Sequence, residues 1–404
     1  MAGAGRSYHR AVRDRRLGIV ALAASLVLVC GTPTARVAEA ALPGALDDRA
    51  FWALVTEFSE PNGYFRSDNL VSNETEFQHV VPSLKTEHTP ASAYVGVGPD
   101  QNFTYLAALK PRIAFIVDVR RQNMLLQLMY KAIVEMSPTR AEFLSRLFAR
   151  GAPPRPSTTE TAEQLFTAVD APSPDAGTCD ANLAAIQQRL TGKHHFRLSR
   201  EDLASIEYVY RAFCDAGPEI RYSFGRGPGW LPFPSYRDLM TERDGGGVNQ
   251  SYLATEANYR ALRDLESRNL IVPIVGDFGG PKALRSGAAY LRAHRATVTA
   301  FYTSNVEQYL FRDDQWQRFY ANVGAMPLTP SSTFIRAVFN NIGIRAYVLT
   351  PAPYPLPAPP QPPYGPRSLT VLNPIVDLLA AVQAGRIQSY RDVIELSLNS
   401  ANGK

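Results

Sequence analysis

The sequence predicts an α/β fold: a doubly wound, mostly parallel sheet with a helical insertion and C-terminal helices. Three observations predict it. Charge-free apolar runs at Ile113-Ala114-Phe115-Ile116-Val117 and Ile271-Val272-Pro273-Ile274-Val275 suit strands buried on both faces. Each run ends in a polar or glycine-bearing turn and leads into apolar residues at helical spacing. This alternation repeats along the chain, which implies βαβ crossovers and a parallel sheet. With 45% hydrophobic and 10% aromatic residues, the 404-residue chain can bury a large core, which excludes wholesale disorder.

Taken in order, residues 1–40 read as a signal peptide. Five Arg precede an uncharged, mostly apolar stretch at 17–30, and Ala38-Glu39-Ala40 supplies a small-x-small site. The stretch falls short of the ~20 residues of a membrane-spanning helix. An uncleaved anchor is the alternative, and either way the body is expected outside the cytoplasm, periplasmic or secreted. The segment also explains the charge. The whole chain carries 42 basic and 37 acidic residues, but without residues 1–40 the balance is 36 to 35. No charge argument for nucleic acid survives, and no membrane contact is expected beyond the export signal.

Residues 41–92 read as a helical and loop-rich extension with a helix at 46–58. The core domain is placed at 93–350. It opens with a strand at 93–97, a turn, and a helix at 103–109 stopped by Pro111. The strand at 113–117 ends in Asp118. Leu125, Leu128, Met129 and Ile133 then mark a helix over 122–136, with another after Pro138. Residues 151–268 are too long for one crossover and read as an insertion, with helices at 181–190, 199–215 and 252–268. After the strand at 271–275, Pro281 is expected just inside the next helix. A strand at 297–302 and a further helix follow. Residues 351–366 hold nine Pro and read as a linker, and a helical pair at 374–384 and 389–398 closes a C-terminal segment at 367–404. Cys179 and Cys214 are the two cysteines beyond the signal segment. In an oxidising compartment they form one disulfide, worth roughly 4 kcal/mol in the chain-entropy model; two buried thiols are the alternative.

Ligands of open α/β sheets bind beyond the carboxyl ends of the strands. Three such ends carry distinctive residues. Gly96-Val97-Gly98-Pro99-Asp100-Gln101-Asn102 is a glycine-bearing turn entering a helix, where backbone can approach a ligand. Asp118 follows Gly98 by 20 residues, an offset suited to a ribose acceptor; an ion pair with Arg120 or Arg121 fits equally. Gly276-Asp277-Phe278-Gly279-Gly280 is a second glycine-rich turn, and Ser304-Asn305 marks the next strand end. Arg120, Arg121, Lys282 and Arg285 place positive charge near these turns, as anion attractors or as solvated helix starts.

In this order the residues resemble class I S-adenosylmethionine-dependent methyltransferases. More closely, VGVGPDQNFTYLAALKPRIAFIVDVRRQN and IVPIVGDFGGPKAL with ATVTAFYTSNVEQYL resemble a family of uncharacterised bacterial proteins with a methyltransferase-like Rossmann core. The resemblance implies a Rossmann-like fold and S-adenosylmethionine as cofactor. Gly96, Gly98 and Asn102 would form the first ligand-facing turn, Asp118 the ribose contact and Asp277 the adenine side, with Asn305 near the transferred methyl. The sequence departs from that pattern at Tyr94, where an acid usually opens the motif, and at Asp100, where a third glycine is usual. An exported chain is also separated from a cytoplasmic methyl donor.

Two other function classes remain open. One is a non-catalytic envelope module that uses its cleft or its insertion to bind another small anionic molecule or an envelope partner. The other is a metal-dependent hydrolase using Glu74, Glu76 and His79, with His88 nearby. His194-His195 reads as a polar surface turn. Gly-x-Ser-x-Gly, His-Glu-x-x-His and Walker signatures are absent from the sequence.

Overall fold

The computed structural model describes residues 41–87, 92–151, 159–170, 176–222, 233–339 and 368–402. Residues 1–40, expected to be a signal peptide, His88 and the proline-rich stretch 351–366 lie outside the described residues.

The chain enters through α1 (Asp48–Phe58), whose first turn is capped by Asp47 accepting from the Ala50 N–H at 2.7 Å. An irregular segment, residues 59–76, leads to a 3-10 turn (Phe77–Val80) and α2 (Val81–Glu87). Then come β1 (Ala93–Gly96), α3 (Gln101–Leu109), β2 (Ile113–Asp118), α4 (Arg121–Met136) and α5 (Arg140–Leu147). The insertion carries α6 (Ala162–Asp170), α7 (Ala176–Gln188), α8 (Arg200–Ala216), α9 (Tyr236–Thr241) and α10 (Glu256–Ser267). The core resumes with β3 (Ile271–Val275), α11 (Ala283–Ala293), β4 (Val298–Ser304), α12 (Val306–Arg312), α13 (Trp316–Gly324) and β5 (Leu328–Phe339). The last described elements are β6 (Ser368–Pro374), α14 (Ile375–Gln383) and α15 (Tyr390–Asn402).

Six strands form one sheet in the order β3-β2-β1-β4-β5-β6. The first five run parallel, and β6 pairs antiparallel with β5. The β1, β2 and β3 runs are buried at every position, as charge-free apolar strands require. Helices cover both faces. Phe115 meets Phe58 of α1 and Tyr290 of α11 on one side, where Phe301 also meets Phe319 of α13. On the other side Tyr302 meets Tyr105 of α3 at 5.3 Å. No helix among the described residues is long and apolar enough to cross a membrane.

Four expectations change. Residues 328–339 and 368–374 are strands of the same sheet, so the C-terminal segment is not purely helical. The long β5 mixes Thr, Pro and Ser with apolar residues and carries Arg336 into the interior, which breaks any apolar run. Arg336 is tolerated there because Glu307, equally buried, accepts both its Nε and Nη2. Pro281 precedes α11, which starts at Ala283. Helix α10 starts at Glu256, capped by Thr255, and residues 252–255 form a turn. His194 is not a surface residue: it is buried between Asp48 Oδ1 at 2.8 Å and Glu135 Oε2 at 2.7 Å, stacked on Phe196, and so ties α1 to α4. The disulfide Cys179–Cys214 is formed and joins α7 to α8, with Cα atoms 6.2 Å apart.

Candidate functional site

Because β1 to β5 are parallel, their carboxyl ends share one edge of the sheet, and β6 begins at that edge. The strand order places β1 between β2 and β4, so the chain leaves β1 in one direction and returns beside it from the other. Such a switch point opens a crevice in an open sheet. All six residues expected to face a ligand lie along this edge, and the structure gives them different employment.

Gly98 has φ +77°, the left-handed region that favours glycine. It is buried, yet no described atom lies within 4 Å of where a Cβ would stand. Gly96 is crowded instead: a Cβ there would collide with Asn102 and Tyr94. Asn102 turns inward, donating to the carbonyls of Val97 at 2.9 Å and Pro99 at 2.7 Å and accepting from the Tyr94 hydroxyl at 2.8 Å. It builds the turn. Asp118 is buried and grips Arg120, each of its oxygens 3.1 Å from a guanidinium nitrogen, while Oδ1 also accepts from the Arg120 N–H at 2.9 Å. Asp118 is thus ion-paired with Arg120. Asp277 is exposed and closes its own turn by accepting from the Gly279 N–H at 2.8 Å. Asn305 is half-buried beside Ser304 and donates to Gln308 at 3.3 Å. The edge collects these residues, but Asp118 and Asn102 spend their polar atoms inside the fold.

What covers the edge is residues 59–77, a strap across the strand ends. Glu60 accepts from the backbone N–H groups of Asp277, in the turn after β3, and of Lys282 and Ala283, at the start of α11. Asn62 Oδ1 accepts from the Arg121 N–H at 2.7 Å at the start of α4. Arg120 donates to the carbonyls of Ser67 and Asp68. Further on, Gln101 Nε2 donates to Glu74 Oε2 at 2.7 Å, and the Ser304 hydroxyl donates to Glu74 Oε1. Thr75 then pairs with Ser368 at the start of β6. Neither α4 nor α11 has a side-chain cap of its own, and the strap supplies what they lack. The nearby cations are also engaged: Arg121 with Asp202, Lys282 with the Ser59 carbonyl, and Arg285 with Asn322.

One region beside the strap is not satisfied. Asn123, Gln127 and Tyr130 occupy positions i, i+4 and i+7 of α4 and so share one helix face. Both amide atoms of Asn123, Gln127 Oε1 and the Tyr130 hydroxyl are buried without a hydrogen-bond partner. Gln127 Nε2 donates to the Gly98 carbonyl at 2.9 Å, which sets this face against the glycine turn. Asp100 lies in the same turn, accepting from Tyr252 at 3.3 Å, and Tyr252 in turn meets the Tyr236 hydroxyl. Burial pushes the Asp100 carboxyl up to about 7. The sequence places these three polar residues at helical spacing, but α4 also carries Arg121, Gln122, Lys131 and Glu135, so spacing alone does not single the face out.

The metal reading finds no geometry. Glu74 is engaged with Gln101 and Ser304, the Glu76 N–H donates to Glu242, and His79 faces the Arg243 carbonyl at 3.2 Å. Among the described residues, no group of three or more His, Cys, Asp or Glu side chains is arranged to hold an ion.

A family profile described as a domain of unknown function, DUF7790, matches residues 69–355. This chain belongs to the DUF7790 family. The expected kinship with uncharacterised proteins is thereby established. No curated protein matches the chain. The DUF7790 region includes Glu74, the Gly98 turn, the polar face of α4 and Ser304, whereas Glu60 and Asn62 of the strap precede it.

Proposed function

We propose that this DUF7790 protein is an exported, Rossmann-like α/β protein that binds a small polar molecule in the crevice above Gly98. The observation that carries the reading is the polar face of α4. Leaving a buried donor or acceptor unpaired costs about 1–3 kcal/mol, so a fold keeps four such atoms together only for a reason. The room beside Gly98 gives a ligand somewhere to stand. The groups facing it are amide, hydroxyl and carboxyl, with no cation among them, which suits a donor-rich molecule with amine or hydroxyl groups. An anion would meet the Asn123 amide and the Tyr130 hydroxyl as donors, but no cation to balance its charge. Export rests on the N-terminal pattern, and the intramolecular disulfide is consistent with it.

Binding of S-adenosylmethionine is the second reading, favoured by the strand order and by a left-handed glycine turn at the switch point. Its ribose would have to share Asp118 with Arg120 or take another partner. Calorimetric titration of the full chain separates the two. The first reading predicts heat with a donor-rich probe such as glucosamine or spermidine, lost in Asn123→Leu. Saturable 1:1 heat with S-adenosylmethionine or S-adenosylhomocysteine would establish the second. Silence from every probe would count against both.

A further inference from the structure

The end of β4 holds an arrangement that the ligand crevice does not use. Ser304 has φ +53° at the junction of β4 and α12. A non-glycine residue pays of order 1–3 kcal/mol for such a conformation, and the surrounding structure must enforce it. A strained strand-to-helix turn is also how hydrolases present a serine at the top of a sheet. Here the turn is reached without the usual glycines, since Tyr302 and Val306 stand two residues to either side. That is why sequence inspection found no such motif.

The hydroxyl of Ser304 is half-buried and donates to Glu74 Oε1. Glu74 is 1% exposed, and its other oxygen accepts from Gln101 Nε2. Gln101 is itself fixed by Ser72 at 2.5 Å and by the Tyr105 hydroxyl at 3.1 Å. A nucleophile, a base and a group orienting the base thus stand in hydrogen-bonded sequence, the logic shared by activated serines on unrelated folds. Burial raises the Glu74 carboxyl above the ordinary range, the direction that strengthens it as a base. Asn305 Oδ1 lies 3.4 Å from Ser304 Oγ as a second acceptor for the hydroxyl, while its Nδ2 donates to Gln308.

We propose that Ser304 is a nucleophile with Glu74 as its base, and that the pair hydrolyses esters of small uncharged acyl groups. The groups hydrogen-bonded to the pair are uncharged, so a charged acyl group would meet no partner there. In the first half, Oγ attacks the acyl carbon and its proton passes to Glu74. The ester C–O bond breaks, and the departing alkoxide takes that proton. In the second half, water attacks the acyl-serine and gives a proton to Glu74. The Oγ–carbon bond breaks, Oγ recovers the proton, and a carboxylic acid leaves.

The test treats the full chain with a fluorophosphonate, locates any adduct by peptide mass, and measures hydrolysis of p-nitrophenyl acetate. One adduct is expected, on the peptide containing Ser304. It should be absent in Ser304→Ala and retained in Ser331→Ala, whose serine is exposed on β5. Glu74→Gln should slow ester hydrolysis by about 100-fold or more. Wild-type protein that is folded yet unlabelled at Ser304, or labelled only elsewhere, would overturn the proposal. Because the wild-type label is read directly, misfolding of a variant cannot mask the answer. Ligand binding above Gly98 has its own readout, and the two proposals fail separately.

Discussion

At the scale of single residues, buried titratable groups set the pH response of this protein. Lys131 illustrates the logic: it donates to the Glu266 backbone carbonyl at 2.6 Å and pairs with Glu135 at 2.7 Å. The Glu266 carboxyl is left with an unpartnered oxygen, and burial pushes it up to about 8. Burial opposes ionisation of Glu135 too, but His194 and Lys131 overcome it and hold that carboxyl at about 2. Between roughly pH 4.5 and 8 the native state keeps a proton on Glu266 that the unfolded chain releases, so this group lowers stability as pH rises through that window. Glu135 contributes in the opposite sense, and its stabilisation is lost as pH falls below the unfolded value of 4.5. Glu266→Gln keeps the shape of the neutral acid and removes its titration. Its urea midpoint relative to wild type should therefore rise between pH 5 and pH 9. An equal offset at both values would show that Glu266 ionises freely in the fold. Little of this was legible in the sequence. His194 beside His195 and Lys193 looks like a surface turn, and only the packing of α1 against α4 brings Asp48 and Glu135 to it.

At the scale of elements, the strands that could be read from the sequence were those buried at all or nearly all positions. β1 to β4 are short, mostly apolar runs followed by turns. β5 was hidden by its buried Arg336. The capping of α4 and α11 was hidden for a different reason: a local cap is visible as Ser, Thr, Asp or Asn beside a helix, whereas Glu60 and Asn62 reach their helices from far along the chain. The strap is a structural consequence of those missing caps. Removing the Glu60 carboxylate leaves the N–H groups of Asp277, in the turn after β3, and of Lys282 and Ala283, at the start of α11, without their acceptor. Glu60→Ala is expected to cost about 1–2 kcal/mol. Amide exchange should quicken over residues 277–283 and stay unchanged in β1. Unchanged exchange at both places would mean that the strap contributes nothing to the edge.

At the scale of the whole molecule, a sheet covered on both faces and strapped along its carboxyl edge keeps a small unsatisfied region beside Gly98. The candidate turn residues were found from the sequence because glycine and acid spacing is local. The α4 face was missed because its meaning depends on which groups the fold leaves unpaired. If that face is held for a ligand, the ligand-free protein bears a stability cost that an apolar side chain should relieve. Asn123→Leu keeps the branching of the side chain and removes two unpartnered polar atoms. Urea denaturation of the ligand-free protein tests this most directly. The account predicts a variant more stable than wild type by about 1 kcal/mol or more. A variant less stable by a similar amount would contradict it, since Asn123 would then be holding the fold together and not waiting for a ligand.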